Sequence, residues 1–444
     1  MARIAIVVQV FPPDNVATAQ IYGDLAVDLA RYGHEVRVFT SRPYYSEDLQ
    51  AHFWRQGLRT GFPWRTSEQH GLRICRCWMP RRSWSLWGRI GAWGWLHAAT
   101  LAAALPSRWR VDVVLAPSPP PSIAVVAWLL ARRFRAPFVY NVQELYPDVA
   151  INLGLVRNRA VIGALRRLER FTYRSAACVT VISERMHAAL LERNVPPWKV
   201  QLIPNFADTG HLCPGPRDNA FSREFNLGGR FVVSYAGNMG KPQHLEMLVQ
   251  AAALLRGHSD IVVVLIGDGT ERPSLQKLAS TLQLQNVIFV PYQPYARMND
   301  IYGCSDICYV PQAGGTSTDG VPSKVYRILA AGRPVLAATD PTSDLGQLVS
   351  RSGAGLIVPP TDAQAVAAAI LQMRTQRDLW EQRGQYARIF VEQHYSRPAV
   401  TRKYHELLVR VIEEHQRRGQ GSDHEPARGS HGSVPDGTHD TCGC

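Results

Sequence analysis

Three glycine-bearing loops in the second half of this 444-residue chain carry residue types suited to holding a diphosphate. Val264-Leu265-Ile266 runs into Gly267-Asp268-Gly269-Thr270, and Arg272 follows ahead of a helical spacing over 274–282. Glycine there lets the backbone come close to a ligand, and the N-terminus of the next helix favours negative charge. Tyr235-Ala236-Gly237-Asn238-Met239-Gly240-Lys241 repeats the arrangement. A third loop runs from Gly314 through Asp319-Gly320-Val321-Pro322-Ser323-Lys324 into a helix predicted over 325–331, which stops at Gly332. Loops at the ends of strands in one sheet converge. Their amides, a helix N-terminus and the Lys324 ammonium together suit a diphosphate. The bland alternatives are a plain strand-to-helix turn at Gly267 and a solvated surface lysine at 324. A dehydrogenase is poorly supported, because the Gly267 loop lacks the third glycine and downstream acid of a dinucleotide fingerprint.

In the first half, Val139-Tyr140-Asn141-Val142-Gln143-Glu144-Leu145-Tyr146-Pro147-Asp148 follows a predicted strand end. Glu144 and Asp148 would open onto the same cleft as candidate catalytic carboxylates, with loop capping and a salt bridge as the structural alternative. Phe11-Pro12-Pro13-Asp14-Asn15 faces the same opening. The chain contains no Asp-x-Asp triplet to hold a divalent ion against a diphosphate. None of the eight cysteines forms a Cys-x-x-Cys pair. No metal site and no cofactor are therefore expected, and lysine, loop amides and helix dipole would neutralise the departing diphosphate.

Elements of two kinds must position these residues. Short β-branched runs alternate with helical patterns, the mark of parallel α/β layering. Strands are predicted at 3–8, 35–40, 111–116, 138–141 and 178–182. After a break at Pro204-Asn205, they resume at 231–235, 261–266, 287–290, 307–310, 334–337 and 356–358. The expectation is two doubly wound, Rossmann-like α/β domains, 1–205 and 206–385, facing a central cleft. A helical segment over 386–418 and a Gly/Ser/His/Asp-rich disordered tail over 419–444 would follow. Lys and Arg exceed Asp and Glu by 49 to 36, so the surface attracts anions. With no zinc finger, RNA-binding signature or long basic run, phosphate-bearing small molecules or a membrane are favoured over nucleic acid. The opening Met1-Ala2-Arg3 leads straight into a buried-strand pattern and not a secretory leader, so the cytoplasmic side is expected.

The ordered set of motifs resembles the family 4 retaining glycosyltransferases, which have the GT-B fold. It comprises Gly33-His34-Glu35-Val36, Leu168-Glu169-Arg170 with Tyr173, Ser183, Pro204-Asn205, Gly237-Asn238-x-Gly240, Gly267-Asp268-Gly269, Asp306, Pro322-Ser323-Lys324 and Ala330-Ala331-Gly332-x-Pro334-Val335. Pro43-Tyr44-Tyr45 and Pro322-Ser323-Lys324 resemble the bacterial branch that builds colanic acid and O-antigen. The resemblance implies a nucleotide-sugar donor, expected to be a UDP-sugar, bound by the second half. The donor residues would be Gly237, Asn238, Gly240, Lys241, Gly267, Asp268, Gly269, Arg272, Asp319, Gly320, Pro322, Ser323, Lys324 and Arg327. Two glutamates eight positions apart touch the donor in many members, and here those positions hold Asp319 and Arg327. Asp319 retains a carboxylate for sugar hydroxyls, whereas the Arg327 guanidinium only donates and does not suit a ribose hydroxyl as an acceptor would. Lys241 is the nearest stand-in for the basic residue usual in the first loop, leaving Lys324 to stabilise the leaving group. The resemblance also implies an acid at Glu144.

From Trp78 to Trp109 the chain holds six of its 11 tryptophans, with Arg81, Arg82, Arg89 and Arg108 around an apolar middle. That middle, 90–106, is shorter than the ~20 residues of a spanning helix. Tryptophan and arginine around an apolar helix fit the lipid interface, with an ordinary core helix as the alternative. The expectation is thus a metal-independent hexosyl or N-acetylhexosaminyl transferase at the inner membrane face, acting on a lipid-linked saccharide acceptor. A nucleotide-sugar 2-epimerase and a non-catalytic GT-B partner subunit remain as rivals.

Overall fold

The computed structural model describes residues 1–14, 16–43, 63–80, 86–152, 154–312 and 320–421, without the side chains of 86, 87 and 419–421. Asn15, Tyr44, Tyr45, Trp84, the Trp87 side chain, the loop 313–319 with Asp319, and the tail after 421 lie outside the described residues.

The short apolar runs fold as parallel strands. The first sheet comprises β1 (Arg3–Val7), β2 (Glu35–Ser41), β3 (Trp64–Gln69), β4 (Leu72–Cys77), β5 (Val113–Pro117), β6 (Phe138–Val142), β7 (Cys178–Val181) and β8 (Val200–Leu202). Their spatial order is β3-β4-β2-β1-β5-β6-β7-β8, with β3–β4 antiparallel and the other pairs parallel. The second sheet comprises β9 (Phe231–Ala236), β10 (Ile261–Ile266), β11 (Val287–Val290), β12 (Ile307–Pro311), β13 (Val335–Ala338) and β14 (Gly355–Val358), ordered β11-β10-β9-β12-β13-β14. Every residue of β10 is buried, as expected where helices cover both faces of a parallel sheet. In each sheet the chain starts centrally and reverses direction of travel, between β1 and β5 and between β9 and β12. Ligands of doubly wound sheets bind beyond the strand ends at that reversal.

Three strands escaped the sequence pattern. β3 reads Trp-Arg-Thr-Ser-Glu-Gln and lies half in solvent, so it offers no apolar run. It turns into β4 through His70 and Gly71, both at positive φ (51° and 77°), a two-residue hairpin whose usual Asn-Gly signal is missing. β8 is three residues long.

Helices Leu86–Ala104, Ile123–Phe134 and Arg159–Ser175 lie side by side on one face of the first sheet. The other face takes helix Ala17–Arg31 and, from the far end of the chain, helix Arg397–Gly421. The C-terminal helical segment, expected over 386–418, is covered by two helices, Arg377–His394 and Arg397–Gly421, that part at Tyr395-Ser396. Arg377–His394 packs on the second domain, while Val400, Tyr404, Leu407 and Leu408 are buried with Ile4, Leu25 and Leu29 of the first.

The chain thus crosses between domains twice, and the crossings run together. Ala207 N–H donates to the Tyr395 carbonyl at 3.0 Å, and Arg397 N–H to the Ala207 carbonyl at 2.9 Å. Arg397 then clasps three carboxylates on two segments. Its guanidinium holds Asp28 bidentately at 2.8 Å on both oxygens, Asp24 at 2.7 Å and Asp208 at 3.3 Å. Its side chain is 15% exposed, and removing one partner of a buried pair leaves uncompensated charge. Arg397→Ala should therefore cost about 3 kcal/mol in denaturant unfolding. Arg397→Lys should recover only part of it, since an ammonium cannot make the bidentate contact.

Candidate active site

β10, β9 and β12 are neighbours, so the loops beyond their carboxyl ends emerge together. The first two are zipped backbone to backbone. Gly237 N–H donates to the Ile266 carbonyl at 2.9 Å, Met239 N–H to Asp268 at 2.8 Å, and Glu271 N–H to Met239 at 2.9 Å. A β-carbon on Gly267 would stand 2.0 Å from the Gly237 oxygen, and one on Gly269 2.3 Å from the Met239 oxygen. Both glycines have positive φ (134° and 155°), so space and backbone conformation each exclude other residues.

That zipper corrects one expectation. Several amides assigned to the diphosphate are already engaged within the protein. Gly237 N–H is bonded as above, Gly240 N–H reaches Gln243 Oε1 (3.0 Å), Gly267 N–H reaches the Val290 carbonyl (3.0 Å), and Gly269 N–H reaches Asp268 Oδ1 (2.8 Å). Arg272 likewise braces the loop, donating from Nη1 to the Gly267 carbonyl at 2.7 Å. These residues build the wall; they have little donor capacity left for a ligand. Asn238 and Lys241 stand exposed at its rim.

Lys324 enters this wall from the helix Ser323–Ala330, which follows β12. Its ammonium lies 3.9 Å above the Tyr235 ring and 2.8 Å from where a Gly237 β-carbon would be. The charge therefore sits at the topological switch between β9 and β12. Burial, followed by repulsion from Arg327, pulls the Lys324 pKa down to about 7. A cation held under such conditions gains most from an anion brought beside it. Pro322 precedes the helix with extended geometry and no side-chain cap, so the N-terminus at Ser323 adds its dipole to the same place.

The cleft is closed across by contacts from the first domain. Arg327, three residues beyond Lys324 on one helix face, donates to Gln20 Oε1 and lies 5.3 Å over the Tyr295 ring. It ties the domains together and occupies the position where the family's second acid would sit. Gly320, at φ 73°, lies against Ile182, whose Cδ1 would be 2.9 Å from a β-carbon there. Arg185 N–H reaches Asp344 Oδ1 at 3.2 Å.

On the facing wall, Glu144 follows β6 and is partly buried. Burial pushes its carboxyl pKa up, and contact with Tyr146 and the charge of Arg89 oppose this. Asp148 takes the structural alternative. It opens helix Asp148–Asn152 and is ion-paired with Arg193, and with Arg166 at 3.8 Å. Both its oxygens face guanidiniums, so the structure gives Asp148 the salt-bridge role rather than a catalytic one. Between β6 and the domain break, Tyr22 OH donates to Asn141 Oδ1 (2.8 Å), and Asn141 Nδ2 donates to Thr180 Oγ1 (2.8 Å). Gln143 Nε2 donates to Asn141 Oδ1 (2.6 Å) and exchanges amide bonds with Asn205 at 3.1 and 2.9 Å. This buried network fixes the start of the crossover to the sheet.

Residues 18–205 match the glycosyl transferase 4-like domain, and residues 230–376 the glycosyl transferases group 1 domain. The chain belongs to the family 4 glycosyltransferases. WcaI of Escherichia coli K12, by its name a colanic acid biosynthesis glycosyl transferase, is 26% identical over 82% of this chain and 89% of its own. Sucrose-phosphate synthase of Thermosynechococcus elongatus superposes with a TM-score of 0.71 at 19% identity, over 93% of this chain and 100% of that one. HepE of Anabaena, solved with UDP-glucose, superposes at 0.68 with 16% identity, over 92% and 100%. The architecture is the GT-B fold of this glycosyltransferase class.

Among this glycosyltransferase's site residues, Tyr235 and Gln20 went unassigned by sequence reasoning. Tyr235 reads there as one more apolar strand residue, and Gln20 reaches Arg327 only because the domains meet. Nucleoside diphosphate binding should restore the Lys324 proton. Uptake of roughly half a proton at pH 7, growing toward pH 8, should appear in calorimetry across buffers of different ionisation enthalpy. Affinity should fall as pH rises above about 7. Lys324→Met should abolish both the uptake and this slope.

Proposed function

We propose that this glycosyltransferase moves a sugar from a nucleotide-sugar, with UDP as its expected nucleotide, onto a lipid-linked or cell-surface polysaccharide precursor, retaining the anomeric configuration. The observation that carries the reading is the Lys324 ammonium at the switch point of the second sheet, beside Gly237. UDP-glucose in the structural relative HepE supports the donor class, and the name of WcaI supports the acceptor class.

In this reading Lys324 and the helix N-terminus at Ser323 offset charge on the departing diphosphate. Gly237, Gly267 and Gly269 hold the wall against which it lies, and Asn238, Asp268 and Lys241 form the rim. Asp319 accepts hydrogen bonds from sugar hydroxyls. Arg327, held by Gln20, reports on domain closure and does not bind ribose as an acid would. The acceptor hydroxyl attacks the anomeric carbon from the face the diphosphate leaves, its proton passing to the departing diphosphate oxygen, and Glu144, its carboxyl pKa raised by burial, orients that hydroxyl. Among the described residues no group of three His, Cys, Asp or Glu could hold a metal ion, and the chemistry above needs none.

Peripheral membrane association belongs to the same proposal. No helix among the described residues is long and apolar enough to cross a membrane. Helix Leu86–Ala104 buries Ala92, Leu96 and Ala99 and packs Trp93 against the core, while Ile90 (42%) and Trp95 (40%) face outward. The tryptophan-rich stretch is therefore a core helix on one side and an exposed apolar face on the other.

Lys324→Ala should lower single-turnover transfer by roughly 10²–10³-fold, with donor affinity much less affected, because the group acts mainly in the transition state. Near-normal turnover in that variant would remove the site assignment. In the same assay activity should persist in excess chelator, and NMR of the product should show the donor's anomeric configuration. Trp95→Ser should weaken binding to anionic vesicles with only a small loss of melting temperature, from its edge contact with Trp78. Trp93→Ser should instead cost about 2 kcal/mol of stability, less than a fully buried tryptophan. Equal stability loss at both positions would leave the exposed face without a membrane role.

A further inference from the structure

A concavity of about 680 Å³ opens in the first domain between helix Arg159–Ser175 and the segment 193–199. It is separate from the donor wall. Arg166, Arg170 and Arg174 stand at four-residue intervals along one face of that helix, and like charges at this spacing repel. Arg193 enters from the opposite side. Lys199 is buried beside them and donates to the Arg174 carbonyl at 2.7 Å.

The acids nearby are already taken. Glu169 is paired with Arg193 and accepts from Tyr173 OH at 3.1 Å; Asp148 is paired with Arg193 and approached by Arg166. Two carboxylates against five cations leave an excess of three positive charges around one hollow. Burial, and beyond it the charge of Arg418, press the Lys199 pKa down. Cations crowded together in a concave site are arranged to receive an anion.

The surroundings say which kind. Trp198, next to Lys199 in sequence, is 66% exposed. Leu155, four residues before helix Arg159–Ser175, and Val161, in its first turn, are 51% and 38% exposed. The neighbouring helices of this layer carry Arg132 and Arg133, and the outward Trp95 and Ile90. From 86 to 175 the chain has twelve arginines against four acids. A cationic hollow beside an exposed tryptophan, in a layer that also exposes aliphatic and aromatic groups, matches the boundary between headgroups and acyl chains.

We propose that this concavity seats the phosphate of an anionic phospholipid headgroup, with Arg170, Arg174 and Lys199 as its donors. It rests on the membrane reading above and adds a specific site to it. The site adjoins the loop from Glu144 to Asp148 through the Asp148–Arg193 pair, so a seated headgroup would hold the acceptor wall against the bilayer.

Co-sedimentation of the full chain with phosphatidylglycerol and phosphatidylcholine vesicles at moderate salt tests it. Arg170→Gln/Arg174→Gln should lower partition onto phosphatidylglycerol roughly thirty-fold, from about five-fold for each arginine removed from a membrane surface. Melting temperature and nucleotide-sugar hydrolysis should not change. Arg31→Gln/Arg402→Gln, with the same net charge but on the opposite face, should change partition less than two-fold. Unchanged partition of the first variant, or an equal loss in the second, overturns the site while leaving membrane association standing. A wild-type chain that sediments with neither vesicle overturns the membrane reading and this site with it. A melting temperature raised by millimolar inorganic phosphate in the wild type alone, without vesicle binding, would assign the hollow to free phosphate and overturn the lipid.

Discussion

The Arg397 guanidinium, shared among Asp24, Asp28 and Asp208, fixes where one domain sits against the other. Each half has its own core and would tolerate many relative placements; the cleft requires one. Burial pushes the Asp24 carboxyl up to about 6 despite the pull of Arg397. A carboxylate whose folded pKa lies above its unfolded value costs stability as it ionises, so this penalty develops as pH rises from about 4 to about 6. The clasp is thus a strained electrostatic compromise. It persists because the paired crossings at Ala207 and Ser396 and the burial of Tyr404, Leu407 and Leu408 over-determine it.

Given that placement, the donor wall follows from a local steric condition. The loops after β9 and β10 approach so closely that only glycine fits at 267 and 269. This contact uses up loop amides beside Lys324. In the proposed reaction the electrostatic task then falls to one ammonium and one helix end instead of many weak dipoles. Preorganised charge in a partly dehydrated site is the arrangement that most favours a developing anion. Arg327 shows the coupling between scales: the helix that delivers Lys324 also reaches Gln20 of the other domain, so donor wall and domain approach share one element.

The outer layer of the first domain distributes charge differently. Around the donor site cations are few and individually placed. On helix Arg159–Ser175 they repeat, and the acids among them are neutralised by Arg193. Single placement suits a small ligand that must be oriented. Repetition, bordered by exposed Trp198, suits an extended anionic surface. Residues 86–175 hold twelve arginines against four acids, so a good part of the chain's net charge of +13 lies in this stretch.

Most strands and both doubly wound halves were legible in the sequence, because parallel strands buried on both faces must be apolar runs, and Ile261–Ile266 reads as nothing else. The glycine loops and Lys324 were legible for a related reason: glycine at positive φ and a lysine after a proline-led helix start are local conditions. The edge hairpin β3–β4 was not, since a half-solvated strand has no apolar signature. Asp148 looked like a catalytic acid until its arginine partners came into view, and the loop amides looked available until the two loops were seen to bond each other. The last helix could not be assigned to the first domain from its own pattern, because an amphipathic face does not name the core it will cover. Sequence determined what each residue could do locally, through backbone conformation and hydrophobic period. Only the tertiary structure decided which charges are spent on one another and which remain for a ligand, because that balance depends on side chains brought together from distant parts of the chain.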